Sequence, residues 1–148
     1  GMGEFLERPP HKLSGGQKQR SAIGAVLAMG PDYLVLDEPT SMLDPKGRKE
    51  VIKVLKDINK NENMTIVLIT HFMDEVVYSD KVIVMDKGNV VLQGRPQEVF
   101  QNRELLKEIN LELPKAAQIQ EILADKGVVF NEEVLTKEDL VEAIWQLF

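Results

Sequence analysis

Leu13-Ser14-Gly15-Gly16-Gln17-Lys18-Gln19-Arg20 reads as a turn that becomes a helix. Ser14 stands where an N-cap would, and Gln17 follows at capping-box distance. The paired glycines carry no side chains, so a large anion can approach the backbone. The first amides of a helix have no intrahelical partner, and the helix dipole adds positive character there. Such an end is an anion site, and phosphate is the usual anion. A Ser-Gly-Gly of this kind also fits an ordinary capped helix after a loop. The octapeptide as a whole is far more specific than its glycine pair.

Outward from this stretch, residues 4–12 read as the end of a helix and a loop, because Pro9 and Pro10 block helix continuation. Gly1 ahead of Met2 reads as a residue left by tag removal. The helix opened by Ser14 is expected from Gly15 to Ala28, with Ile23, Val26 and Leu27 on its apolar face. Close packing would explain Gly24 within it.

Tyr33-Leu34-Val35-Leu36-Asp37 is a short, unbroken apolar run, which predicts a strand buried on both faces, as in a parallel sheet. It ends in Asp37 and Glu38, and ligands of open α/β sheets collect at the carboxyl ends of strands. Asp37 is placed to hold Mg²⁺ through its water shell, and Glu38 to orient or deprotonate an attacking water. Two solvated turn acids fit the same spacing. Asp44 then caps a helix with Pro45 at its first position, expected to run to Asn61. Val51, Ile52, Val54, Leu55 and Ile58 give that helix a broad inward stripe.

Residues 65–70 predict a second buried strand, with His71 just beyond its end. A strand, a crossover of about 27 residues containing a helix, and another strand make a βαβ unit the default. If the strands are parallel neighbours, His71 shares a sheet edge with Glu38. There it could hydrogen-bond a terminal phosphate or the attacking water, whereas a lone histidine after a strand fits a structural role equally. A short helix is expected over 72–78, and residues 81–86 and 89–93 flank Lys87-Gly88 as a hairpin, with Gly88 at positive φ.

From Gln97 the chain reads as short amphipathic helices. Their stripes are Leu105, Leu106 and Ile109; then Ile119, Ile122 and Leu123, closed by Gly127; then Val141, Ile144, Trp145 and Phe148. Thr136 with Asp139 forms a second capping-box spacing. These stripes fit packing within the chain, and Trp145, Leu147 and Phe148 also fit a contact with another subunit.

Composition narrows the function classes. The 148 residues suit one domain, or one with an appendage, and 43% hydrophobic residues suffice for a core. There is no cysteine, so disulfide and thiolate chemistry are excluded. No apolar run approaches the roughly 20 residues of a membrane span, and no secretory signal is visible. The net charge is −6, and residues 101–148 hold five basic against ten acidic side chains. That acidity argues against nucleic acid as a partner. Polyphosphate remains compatible, because backbone amides and a bound metal ion can supply the local positive field.

Together these motifs resemble ABC transporter ATPases. Residues 13–20 look like their signature motif, 33–39 their Walker B strand with its catalytic glutamate, 41–44 their D-loop, and Thr70-His71 their switch histidine. Order and spacing agree over residues 13–96. Residues 94–100 and the acidic tail are similar to the ATPases of energy-coupling-factor importers, which take up cobalt, nickel or vitamins. The resemblance implies an α/β fold: part of a P-loop NTPase parallel sheet with flanking helices over residues 1–96, then an all-helical extension over 97–148 with a possible dimerisation role. It implies two ATPase subunits, identical or different, closing head to tail around two ATP molecules. Ser14, Gly15 and Gly16 would touch the γ-phosphate of the partner's ATP, with Gln17 supporting them. Asp37 would bind Mg²⁺ through water, Glu38 would be the general base, His71 the γ-phosphate sensor, and Asp44 would communicate across the dimer. A transmembrane coupling component and a substrate-binding membrane component would complete the importer, on the cytoplasmic face of the cell membrane.

One departure limits the resemblance. The family's phosphate loop, Gly-x-x-x-x-Gly-Lys-Ser/Thr, occurs nowhere in the 148 residues, so nothing here would hold the β-phosphate. The strand before that loop, the aromatic that stacks on adenine and the glutamine loop are missing too. Ser21 stands where the family usually has an apolar residue, a local packing difference. The expectation is a C-terminal fragment with negligible turnover alone, whose open strand edge promotes self-association. The alternative is a non-catalytic dimerisation or regulatory module derived from such an ATPase. A DNA-repair or translation relative of the family fits the acidic balance poorly.

Overall fold

The computed structural model of the chain describes residues 2–130 and 132–146. Its described residues group into two compact units that divide between Thr70 and His71, each treated separately below.

In the first unit, two 3-10 turns, Gly3–Phe5 and Pro10–Lys12, stand where a helix end and loop were expected. Helix α1 (Gly15–Leu27) begins at Ser14 with the expected capping box. Strand β1 (Tyr33–Asp37) follows, then α2 (Pro45–Glu62), started by Asp44, whose Oδ1 accepts from the Gly47 amide at 3.1 Å. Asn63 ends α2 in the left-handed region (φ 54°), and Asn59 Nδ2 donates to Met64 O at 2.8 Å, steering the chain into β2 (Thr65–Ile69). Strands β1 and β2 pair in parallel, Tyr33 opposite Thr65 through Asp37 opposite Ile69.

The core of this unit is Ile23, Leu34, Leu43, Val51, Leu55 and Met64. It corrects three sequence expectations. The strands are covered on one face only: Leu34 and Leu36 point inward, while Tyr33, Val35, Val67 and Ile69 are exposed. The apolar run signalled a strand but not which side would be covered, since period-two alternation cannot be read when both faces are apolar. Val54 lies outside the α2 stripe and is exposed. Gly24 is exposed with open space where a Cβ would project, so close packing does not explain it.

In the second unit, α3 (Met73–Val76) leads to an antiparallel hairpin, β3 (Val82–Asp86) and β4 (Asn89–Gly94), with a bulge between Val84 and Met85. Lys87 and Gly88 both take positive φ, 47° and 81°, the two-residue turn that matches strand twist. Helices α4 (Pro96–Phe100), α5 (Arg103–Glu108), α6 (Lys115–Ala124) and α7 (Lys137–Trp145) follow. Packing does not break at Pro96. Val82 and Val84 of the hairpin share one core with Val99, Phe100, Leu106, Leu113, Ala117 and Leu135.

Two tail stripes differ from expectation. Helix α6 buries Ala116, Ala117 and Gln120, leaving Ile119 and Ile122 exposed. Helix α7 buries Leu140 with Ala143 and Ile144 alongside, leaving Val141 and Trp145 exposed. Helix α6 turns its Ala116, Ala117 and Gln120 face inward, where Gln120 is spent on backbone groups. Its Nε2 donates to Glu132 O at 2.8 Å, and its Oε1 accepts from the Val134 amide at 3.1 Å. The expected contacts of Leu147 and Phe148 lie outside the described residues.

Candidate functional site

Ser14 caps the N-terminal end of α1. Its Oγ accepts from the Gln17 amide at 3.3 Å, while its own amide donates to Gln17 Oε1 at 2.9 Å. The reciprocal pair fixes the turn, and Ser14 and Gly15 remain exposed. Gly16 is glycine for a steric reason. A Cβ there would lie 2.8 Å from Leu43 Cδ2 and 3.4 Å from Met42 O. The turn is therefore pressed against the loop that follows Glu38, and bare backbone is what fits.

Glu38 sits one residue past β1, half-buried, at φ 47°. A non-glycine residue in the left-handed region carries strain, held in place by the bonds around it. Its amide donates to Ile69 O at 2.9 Å, and its carbonyl accepts from the Ser41 amide at 3.2 Å and Ser41 Oγ at 3.0 Å. Pro39 and Thr40 are buried beneath this turn. Asp37 is exposed at the end of β1. The carboxyl ends of both strands lie on one rim, since Asp37 is in register with Ile69. His71 follows Ile69 by two residues and opens the second unit, where its ring lies 4.1 Å from that of Phe72.

Ser14, Gly15, Gly16, Gln17, Asp37, Glu38 and Asp44 thus all belong to the first unit, and His71 to the second. Asp44 is engaged within its own chain as the cap of α2. Among the described residues, no group of three or more histidine, aspartate or glutamate side chains is gathered to hold a metal ion. A lone exposed carboxylate such as Asp37 suits Mg²⁺ that keeps waters and takes its other ligands from phosphate. Sequence reasoning missed Leu43, whose place inside a loop gives no periodic signal. It also missed the ion pair of Arg20 with Glu50 at 3.3 Å, which ties α1 to α2 across thirty residues.

Residues 1–41 match the family model described as ABC transporter. The energy-coupling factor transporter ATP-binding protein EcfA1 of Caldanaerobacter subterraneus subsp. tengcongensis is 54% identical over 144 residues, covering 97% of this chain and 52% of that protein. EcfA1 of Symbiobacterium thermophilum is 52% identical over 148 residues, covering all of this chain and 52% of that protein. The chain is a relative of the ABC transporter ATP-binding proteins. It spans about half the length of the curated relatives it matches.

Solved ABC structures agree with that relationship. The structure of cbiO1 from Clostridium perfringens, described as part of the ABC transporter complex cbiONQ, superposes at a TM-score of 0.62 with 45% identity. It covers 80% of this chain and 48% of that one. A dimeric bacterial ABC transporter cassette, MJ0796, gives 0.60 with 32% identity, over 64% of this chain and 40% of that one. The expected fold class, a small parallel sheet with helices from an ABC ATPase cassette, is therefore what the chain has. No helix among the described residues is long and apolar enough to cross a membrane.

Proposed function

We propose that this chain is the signature-motif half of an ATP-hydrolysing subunit of an energy-coupling-factor importer, powering uptake of a metal ion such as cobalt or nickel, or of a vitamin. Residues 1–96 form the C-terminal part of its nucleotide-binding domain, and residues 97–148 its helical extension. The subunit works on the cytoplasmic face of the cell membrane, with a second ATPase subunit, a transmembrane coupling component and a membrane component that binds the solute.

The observation that carries this reading is the exposed Ser14 cap, locked by Gln17 and packed through Gly16 onto the loop that leaves Glu38. A rigid helix end with exposed amides is suited to a phosphate presented by another chain. In the proposed assembly Ser14, Gly15 and Gly16 bind the γ-phosphate of ATP held by the partner's phosphate loop, and Gln17 holds the cap in shape. Glu38 accepts the proton of the attacking water, His71 hydrogen-bonds the γ-phosphate, and Asp44 meets the partner across the interface. Asp37 holds Mg²⁺ through water, and the ion supplies charge neutralisation on the phosphates. The 54% identity to EcfA1 supports the importer class.

ATP hydrolysis by the chain mixed with a phosphate-loop-bearing ATPase subunit tests this. The mixture should turn over ATP, Ser14→Arg should abolish the share that depends on this chain, and the chain alone should be inactive. Turnover by the chain alone, removed by Glu38→Gln, would overturn the division of the site between two chains.

A further inference from the structure

One methyl group joins the two helix caps of the first unit. Leu43 Cδ2 lies 2.8 Å from where a Cβ on Gly16 would stand and 3.8 Å from where one on Gly47 would stand. Gly16 belongs to the first turn of α1, capped by Ser14, and Gly47 donates to Asp44 in the first turn of α2. Gly16 is bare where Leu43 enters, while at Gly47 a Cβ would meet Asp44 Oδ1 at 2.7 Å first, with Leu43 Cβ in ordinary contact at 3.5 Å. Leu43 itself is held from several directions. It is buried, its amide donates to Thr40 O at 3.0 Å, and its carbonyl accepts from Arg48 Nε at 3.2 Å. Thr40 is wholly buried, and the turn containing it is closed by Ser41 on the carbonyl of Glu38.

We propose that Leu43 is a positioning residue: its side chain, seated between Gly16 and Gly47, sets the Ser14 cap of α1 at a fixed place relative to the Asp44 cap of α2 and the Glu38 turn. A close-packed interior transmits small displacements rather than absorbing them. A shift of the Ser14 cap is then felt at Asp44 and at the start of the Glu38 loop, with no covalent link shorter than the chain between them. The Arg20–Glu50 ion pair acts further along the same two helices, but it is partly exposed, so the buried methyl is the firmer tie. The consequence for phosphate chemistry rests on the proposed function. If the Ser14 cap serves the partner's ATP and Glu38 this chain's own, Leu43 links the two sites from inside one chain.

Amide exchange in this chain, without nucleotide, tests the mechanical claim separately from the ATPase reading. The reporters are Gln17, bonded to Ser14 Oγ; Gly47, bonded to Asp44; and Thr65, which donates to Asp32 O at 2.9 Å at the far end of the strand pair. Leu43→Ala should speed exchange at Gln17 and Gly47 together by roughly tenfold relative to Thr65. Leu43→Met should restore both, and Leu55→Ala, in the same core, should shift all three alike. Should Leu43→Ala not fold, Gly16→Ala, which drives a Cβ into Leu43, should still quicken Gly47, thirty-one positions away. Acceleration of only one cap, or of all three reporters alike in Leu43→Ala, or an unmoved Gly47 in Gly16→Ala, overturns the proposal. A positive result here with no ATP turnover in the two-chain assay would sink the ATPase reading and leave the positioning role standing.

Discussion

The amide of Glu38 donates to the carbonyl of Ile69 at 2.9 Å, carrying the parallel pairing of β1 and β2 one residue beyond the last strand position of β1. That bond holds Glu38 at φ 47° and brings its carboxylate-bearing turn to the rim where both strands end. The strain is local and has a direct test. Glu38→Asn, which tolerates the left-handed region, should leave stability unchanged or raised, whereas Glu38→Val should cost about 1–2 kcal/mol. Denaturant midpoints at unchanged slope measure both.

The Ser14 cap should be worth a typical N-cap. Ser14→Ala is expected to cost about 1 kcal/mol, and Ser14→Gly only a few tenths, because glycine keeps the turn accessible to water. Chemical denaturation of the two variants against the parent chain gives the comparison. Equal losses would mean that the hydroxyl contributes nothing.

Gln120 is a buried hydrogen-bonding centre of the second unit, since Arg103 Nη2 also reaches its Oε1 at 3.3 Å and Glu133 Oε1 at 2.7 Å. Gln120→Leu keeps the volume and strands the Glu132 carbonyl and the Val134 amide. Each buried group left without its bond costs about 1–3 kcal/mol. A loss of at least 2 kcal/mol in the denaturation curve is expected. A neutral result would show that water replaces the side chain.

Tyr78 is the titrating group whose environment most clearly matters. Partial burial, then the negative charges of Glu138, Asp74 and Asp139, raise its phenol above the ordinary value of 10.0. The folded chain then keeps a proton that the unfolded chain gives up. Stability is whole below pH 10 and declines as pH rises through the unfolded value toward the higher folded one. Tyr78→Phe should remove that part of the alkaline decline, read from thermal midpoints on either side of pH 10.

Val35 and Val67 lie on the open face of the strand pair, with Tyr33 and Ile69 exposed nearby. Exposed apolar strands with unpaired edges associate. The chain should therefore self-associate at tens of micromolar, and the pair Val35→Lys with Val67→Lys should shift light scattering toward the monomer. Trimming residues 101–148 would be a poor probe of association, because Leu106, Leu113, Ala117 and Leu135 are part of the hairpin's own core. Trp145→Ser leaves that core intact and tests the tail surface instead.

The elements carrying backbone signals were legible in the sequence. Ser14, Asp44 and Thr136 announced their helices through capping chemistry, which depends only on neighbours three residues away. The parallel pairing followed from two apolar runs and a crossover long enough for a helix. What was hidden depends on contacts distant in sequence. Nothing in Ile119 or Ile122 says that Gln120 will turn inward, because that choice is made by Glu132 and Val134. Leu43 reads as an unremarkable loop residue until Gly16 and Gly47 are seen on either side of it. The left-handed Glu38 has no glycine to mark it.

The central claim is that the Ser14 turn meets the terminal phosphate of a nucleotide held by another chain. An ATP analogue carrying a photoreactive group on its γ-phosphate measures this directly, with the labelled peptide identified by mass spectrometry. The account predicts label on residues 14–17 of this chain only when a phosphate-loop-bearing subunit is present. Label on those residues without that subunit, or none there in its presence, would contradict it.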